Sequence, residues 1–176
     1  MSLTFQYLLV RGSNAQLEVP KNTSFRSYRH ELEGWTAFIV HTQDLLDLAE
    51  MEQLAAVTSQ AHDLTLGNYV ETSDFGYCIG ASDGRIDFRV VINPHGAEGL
   101  VQGMWALERC RTASGSTAWQ LQAAQDIRTW AAGLIETPNA EAVLRILDKD
   151  WLYSEEGVRE LVRLLQVPDI DWRWVP

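Results

Sequence analysis

The sequence predicts an α+β domain in which an N-terminal antiparallel sheet is followed by helices. Three observations carry the prediction. Apolar residues alternate with period two in several runs before Pro94, they recur with helical spacing after it, and Asp83-Gly84 supplies a tight turn between two well-matched runs. Strands first and helices later favour an antiparallel sheet with helices on one face or at one end. With 176 residues the chain suits one domain, sheet-rich over 1–94 and helical over 95–168, closed by a tryptophan-containing tail over 169–176.

The first sheet element is a hairpin expected over about 3–19. Leu3, Phe5, Tyr7 and Leu9 alternate, Gly12-Ser13-Asn14 offers a turn, and Ala15, Leu17 and Val19 alternate again before Pro20. Residues 35–41 form the next strand, rich in aromatic and β-branched letters. One long helix is expected over 42–61, capped by Thr42 and carrying Leu45, Leu46, Leu48, Leu54 and Val57. The second hairpin spans 74–93. Folding its arms about Asp83-Gly84 opposes Ala81 with Ile86, Ile79 with Phe88, Tyr77 with Val90 and Phe75 with Ile92, all apolar. Its other face then pairs Cys78 with Arg89 and Asp74 with Asn93 and is mostly small or polar, so its glycines make room for a covering helix or mark a twisted edge, and its charges form a solvated ladder only if that face is wet.

About four helices follow. Residues 97–109 make the first; Trp119, Ala123, Ile127, Trp130 and Leu134 stripe the second, capped by Ser116 or Thr117. Asn139 caps the third, and Ser154 caps the fourth, where Glu155 and Arg159 are spaced as an i,i+4 pair.

Charge bounds the function. The chain carries 24 acidic against 14 basic residues, a formal net charge of −10, spread without an acidic tail. Such a surface repels phosphate backbones and anionic membranes, so nucleic acid and membrane are not expected partners, whereas a basic protein is steered in. No apolar run reaches the length of a membrane span and no signal peptide is evident, so the expected location is cytoplasmic. The two cysteines, Cys78 and Cys110, lack a CxxC spacing and are expected as free thiols.

Motifs for chemistry are sparse. At the open end of the second hairpin, Asp74, Asn93 and His95 could form a general-base site beside a helix N-terminus. On the adjoining face Arg89 would lower the pKa of Cys78. Neither has a recognised catalytic spacing, so an enzyme is not the first expectation. Histidines are scattered and glycines form no nucleotide motif, so no metal or cofactor is expected.

Surface patterns speak more for binding. Asp44, Asp47 and Glu50 recur every third residue, with Met51 in the same arc, as an acidic face able to receive a basic partner. Trp172 and Trp174 in the tail are candidate interface anchors, although docking on their own chain is the simpler expectation. The first functional expectation is therefore an acidic protein-interaction module, namely an inhibitor, immunity-type or adaptor protein. The alternatives are a small-molecule-binding protein or enzyme at the hairpin mouth, and a structural subunit of a homo-oligomer joined through the tail.

Overall fold

The computed structural model describes residues 4–71, 74–94, 116–134 and 136–175. It contains a six-stranded antiparallel sheet formed by β1 (Thr4–Arg11), β2 (Ser27–Leu32), β3 (Trp35–Val40), β4 (Leu64–Glu71), β5 (Phe75–Ser82) and β6 (Arg85–Ile92). The spatial order is β2-β3-β1-β4-β5-β6. Helix α1 (Leu48–His62) joins β3 to β4, while α2 (Ser116–Ala131), α3 (Ala140–Asp148) and α4 (Ser154–Leu164) follow the sheet. This is the α+β class that the sequence predicts.

The sheet is covered on both faces. Leu8, Val40, Phe75, Tyr77, Ile79, Ala81 and Val91 pack with Met51, Leu54 and Ala55 of α1. Phe5, Tyr7, Leu9, Ile39, Cys78, Phe88, Val90 and Ile92 pack with the C-terminal helices. The small-residue face of the second hairpin, whose covering the sequence leaves open, is therefore the one buried by the C-terminal helices. Small residues there make room for the second helical layer: a Cβ on Gly76 would lie 2.5 Å from Val158.

The hairpin turn forms as predicted, with positive φ at Asp83 and Gly84. Its register holds for Ser82 with Arg85 and Ala81 with Ile86, then slips by one residue, because Asp87 is extra on β6. Beyond this bulge Gly80 faces Phe88, Cys78 faces Val90 and Tyr77 faces Val91. Ser82 donates a short hydrogen bond to the Asp87 carboxylate, and Trp130 Nε1 donates to the Ala81 carbonyl at 3.1 Å. Both bonds hold the bulge in place.

The hairpin expected over 3–19 is also corrected. β1 is a central strand between β3 and β4, and residues 15–19 form no strand. Side chains capture their backbone N–H groups instead: Ala15 N donates to Thr36 Oγ1 and Glu18 N to Thr58 Oγ1, each at 3.2 Å. Ala15 is buried and Leu17 packs beside it, so the alternation serves burial rather than pairing.

α1 begins later than predicted. Thr42–Asp44 is a 3₁₀ turn, and Asp47 starts the helix in a reciprocal capping box with Glu50. Asn139 caps α3 as predicted. Ser154 does not cap α4; its Oγ donates to the Glu71 carbonyl at 2.7 Å, tying the helix to the end of β4. Arg159 forms an ion pair with Asp169 at 3.4 Å, and its charge also acts on Glu155. The predicted helix over 97–109, Cys110 and the side chains of Ser116, Thr117 and Trp119 lie outside the described residues.

Candidate functional site

The hairpin mouth is not assembled as predicted. His95 lies outside the described residues. Asp74 stands in the β4–β5 turn, its N–H bonded to the Glu71 carbonyl at 3.0 Å. Asn93 does not oppose it. With φ 56°, a left-handed conformation that asparagine tolerates, Asn93 turns its amide onto the backbone of Trp151. Its Nδ2 donates to the Trp151 carbonyl at 2.8 Å, and Trp151 N donates back to Oδ1 at 3.0 Å. The amide thus imitates a backbone pair and fastens the α3–α4 turn to the end of β6.

Cys78 and Arg89 lie on opposite faces of the sheet, because the Asp87 bulge turns Arg89 toward α1. There Arg89 makes a bidentate pair with Glu52, Nε and Nη2 each 2.8 Å from a carboxylate oxygen. Tyr77 Oη donates a short bond to the same carboxylate. Cys78 is fully buried beside Val90, and burial pushes its thiol well above the ordinary range. A thiol in that state is a core filler, not a nucleophile. Native protein treated with iodoacetamide at pH 8 is therefore expected to leave Cys78 unmodified, while urea-unfolded protein is modified there. Peptide mass spectrometry distinguishes the two.

The acidic arc on α1 is rearranged. Asp44 accepts hydrogen bonds from Arg26 Nε at 3.0 Å and Arg26 N at 3.2 Å, and the side-chain bond chiefly lowers its pKa. Asp47 and Glu50 bond one another at the helix start. Met51 is fully buried, its Cε about 3.0 Å from where a Cβ on Gly67 would stand. Met51 is thus a core residue and presents no knob to a partner.

The tail docks on its own chain. Ile170 is buried, and the ring of Trp174 stacks on His30 of β2 with centroids 3.9 Å apart and planes 8° from parallel. The Trp172 side chain lies outside the described residues. Among the described residues no group of three or more His, Cys, Asp or Glu side chains is placed to hold a metal ion. No helix among them is long and apolar enough to cross a membrane.

One surface was missed by sequence reasoning, the turn between α3 and α4. Leu152 is 78% exposed and Tyr153 46% exposed, adjacent to each other. Trp151 beneath them donates Nε1 to the Ile146 carbonyl at 3.0 Å and carries Lys149 Nζ over its ring at 3.6 Å. Beside the turn opens a cleft of about 290 Å³ lined by Trp151, Glu156, Arg159, Glu160 and Arg163. The available signal was Trp151-Leu152-Tyr153 itself, three large apolar letters in a linker where turns are usually polar. Compared with models of known protein families, with curated proteins and with solved structures, the chain matches none.

Proposed function

We propose that the chain is an acidic protein-interaction module of the cytoplasm, an inhibitor, immunity-type or adaptor protein that binds a basic partner. The observation that carries the proposal is where the charge sits. The chain bears a net −10, and no described Asp or Glu is buried. The excess is thus displayed to solvent, where it steers oppositely charged macromolecules and disfavours phosphate-rich ones.

The test is a pull-down of the tagged chain from lysate of its source organism at low ionic strength, followed by a salt wash and mass spectrometry. One stoichiometric basic protein, released as the salt screens surface charge, is the expected result. Recovery of the chain alone, from a lysate that retains known complexes, overturns the proposal.

A further inference from the structure

We propose that the α3–α4 turn is the surface that receives the basic partner, with Leu152 and Tyr153 as its apolar anchors. The inference rests on the interaction reading above and assigns it a place. It departs from the surfaces expected from the sequence, where Met51 is core and Trp174 is occupied by His30.

Exposure is the first ground. Among the described residues the other exposed large apolar ones, Val19, Tyr28 and Leu121, stand far apart in sequence, whereas Leu152 and Tyr153 are consecutive. A lone exposed apolar side chain is ordinary, but consecutive ones in a short interhelical turn offer an anchor suited to a pocket.

Rigidity is the second. Flexible linkers lose entropy on binding, and this turn has little left to lose. Asn93 bonds both backbone groups of Trp151, and Ser154 Oγ bonds the Glu71 carbonyl. Gly157, one turn into α4, lets Ile92 and the Trp151 ring close in, since a Cβ there would lie 2.5 Å and 2.8 Å from them. The turn is fastened from both strands below and from the helix behind.

Charge is the third. Asp148, Asp150 and Glu156 are exposed around the anchors, against Lys149, which lies over Trp151. In the adjoining cleft both arginines are paired, Arg159 with Asp169 at 3.4 Å and Arg163 with Glu160 at 2.8 Å. The rim is therefore net acidic around an apolar centre. Its complement is a protein presenting an apolar pocket ringed by Lys or Arg, with aromatic and aliphatic anchors carrying affinity and the rim carrying approach rate.

The experiment compares three immobilised full-length chains against lysate of the source organism: wild type, Leu152→Asp/Tyr153→Ala, and Val19→Asp as an exposed apolar control elsewhere on the surface. Proteins retained are identified, and affinity for the retained protein is then measured by calorimetry. The expected result is a basic protein bound by wild type and Val19→Asp, with affinity about 100-fold or more weaker for the double variant. A photo-crosslinking p-benzoylphenylalanine at position 152 is expected to tag that protein, a readout independent of any loss of stability in the double variant. Equal binding by the double variant, with no crosslink from position 152, overturns the assignment and leaves the interaction reading standing. If wild type retains nothing, both fall together.

Discussion

Replacing Phe88 by alanine is expected to destabilise the protein by about 3–5 kcal/mol, the range for deleting a buried phenylalanine ring. Phe88 is 1% exposed, stands edge-on to Trp130 with centroids 5.4 Å apart, and occupies the space left by Gly80. A Cβ on Gly80 would lie 2.1 Å from the Phe88 ring, so Gly80→Ala should be strongly destabilising by itself. The two changes share one volume and should not add. In Gly80→Ala/Phe88→Leu the new methyl enters the space that the smaller side chain vacates, and the pair should be less destabilised than the sum of its singles. Urea unfolding of the four proteins in this cycle checks the coupling. Strict additivity would mean that Phe88 does not lie across Gly80, and would restore the unslipped register in which Phe88 opposes Ile79.

That register marks where the sequence stops being legible. Asp83-Gly84 identifies the turn and the first two pairs, because a two-residue turn with both central residues at positive φ leaves no freedom next to it. Beginning two residues beyond the second pair, the alternation of Phe88, Val90 and Ile92 along β6 looks unbroken. The bulge transfers it to the opposite face. Nothing in the strand itself announces this, since its cause is tertiary: Trp130, far along the chain, bonds the Ala81 carbonyl, and Gly80 admits the shifted ring. The same ambiguity hides the second helical layer. Gly76, Cys78 and Gly80 read as a small face that either admits a covering helix or marks a twisted edge, and nothing local chooses between the two. Burial on both faces explains why β1, written Thr-Phe-Gln-Tyr-Leu-Leu-Val-Arg, includes Gln6, whose amide bonds the Leu46 backbone beneath α1.

The candidate sites failed and survived for related reasons. Cys78 next to Arg89 is a consequence of the unslipped register and disappears with it. Asp44, Asp47 and Glu50 do share a stretch of chain, but their spacing reflects a 3₁₀ turn and a capping box rather than one continuous helix face. Acidic residues at a helix start are favoured by the helix dipole, so the pattern needs no partner. Asn93, expected as a partner of Asp74 at the hairpin mouth, instead holds the Trp151 backbone. What the sequence expresses well is bulk: the α+β class, a sheet-rich half before a helical one, and an excess of negative charge. Juxtapositions across long sequence separations, such as Asn93 with Trp151, have no local signature.

Removal of Glu52 is the second large effect. Its carboxylate accepts both bonds from Arg89 and the short bond from Tyr77, with side chains only 20% and 28% exposed for Glu52 and Arg89. Glu52→Ala removes the carboxylate that accepts both of these Arg89 bonds from a half-buried site, at a cost of about 2–3 kcal/mol, below the roughly 3–5 kcal/mol seen for fully buried pairs. The milder Glu52→Gln separates charge from packing. Burial raises the Glu52 pKa, but bonds from Arg89 and Tyr77, with the Arg89 charge, outweigh it and hold the carboxyl below its ordinary value. Tyr77, raised first by burial and then by its bond to Glu52, remains a neutral donor throughout. Because the folded pKa is the lower one, the ionised carboxylate contributes its stability above the unfolded value of about 4.3, and that contribution is lost as pH falls through the folded pKa. The difference between wild type and Glu52→Gln in urea unfolding should therefore be widest at pH 7 and narrow below about pH 4. A gap that stays constant from pH 7 to pH 3 would show that the glutamate acts there by shape and neutral hydrogen bonding, and that its charge contributes nothing to the joint between α1 and the edge of the sheet.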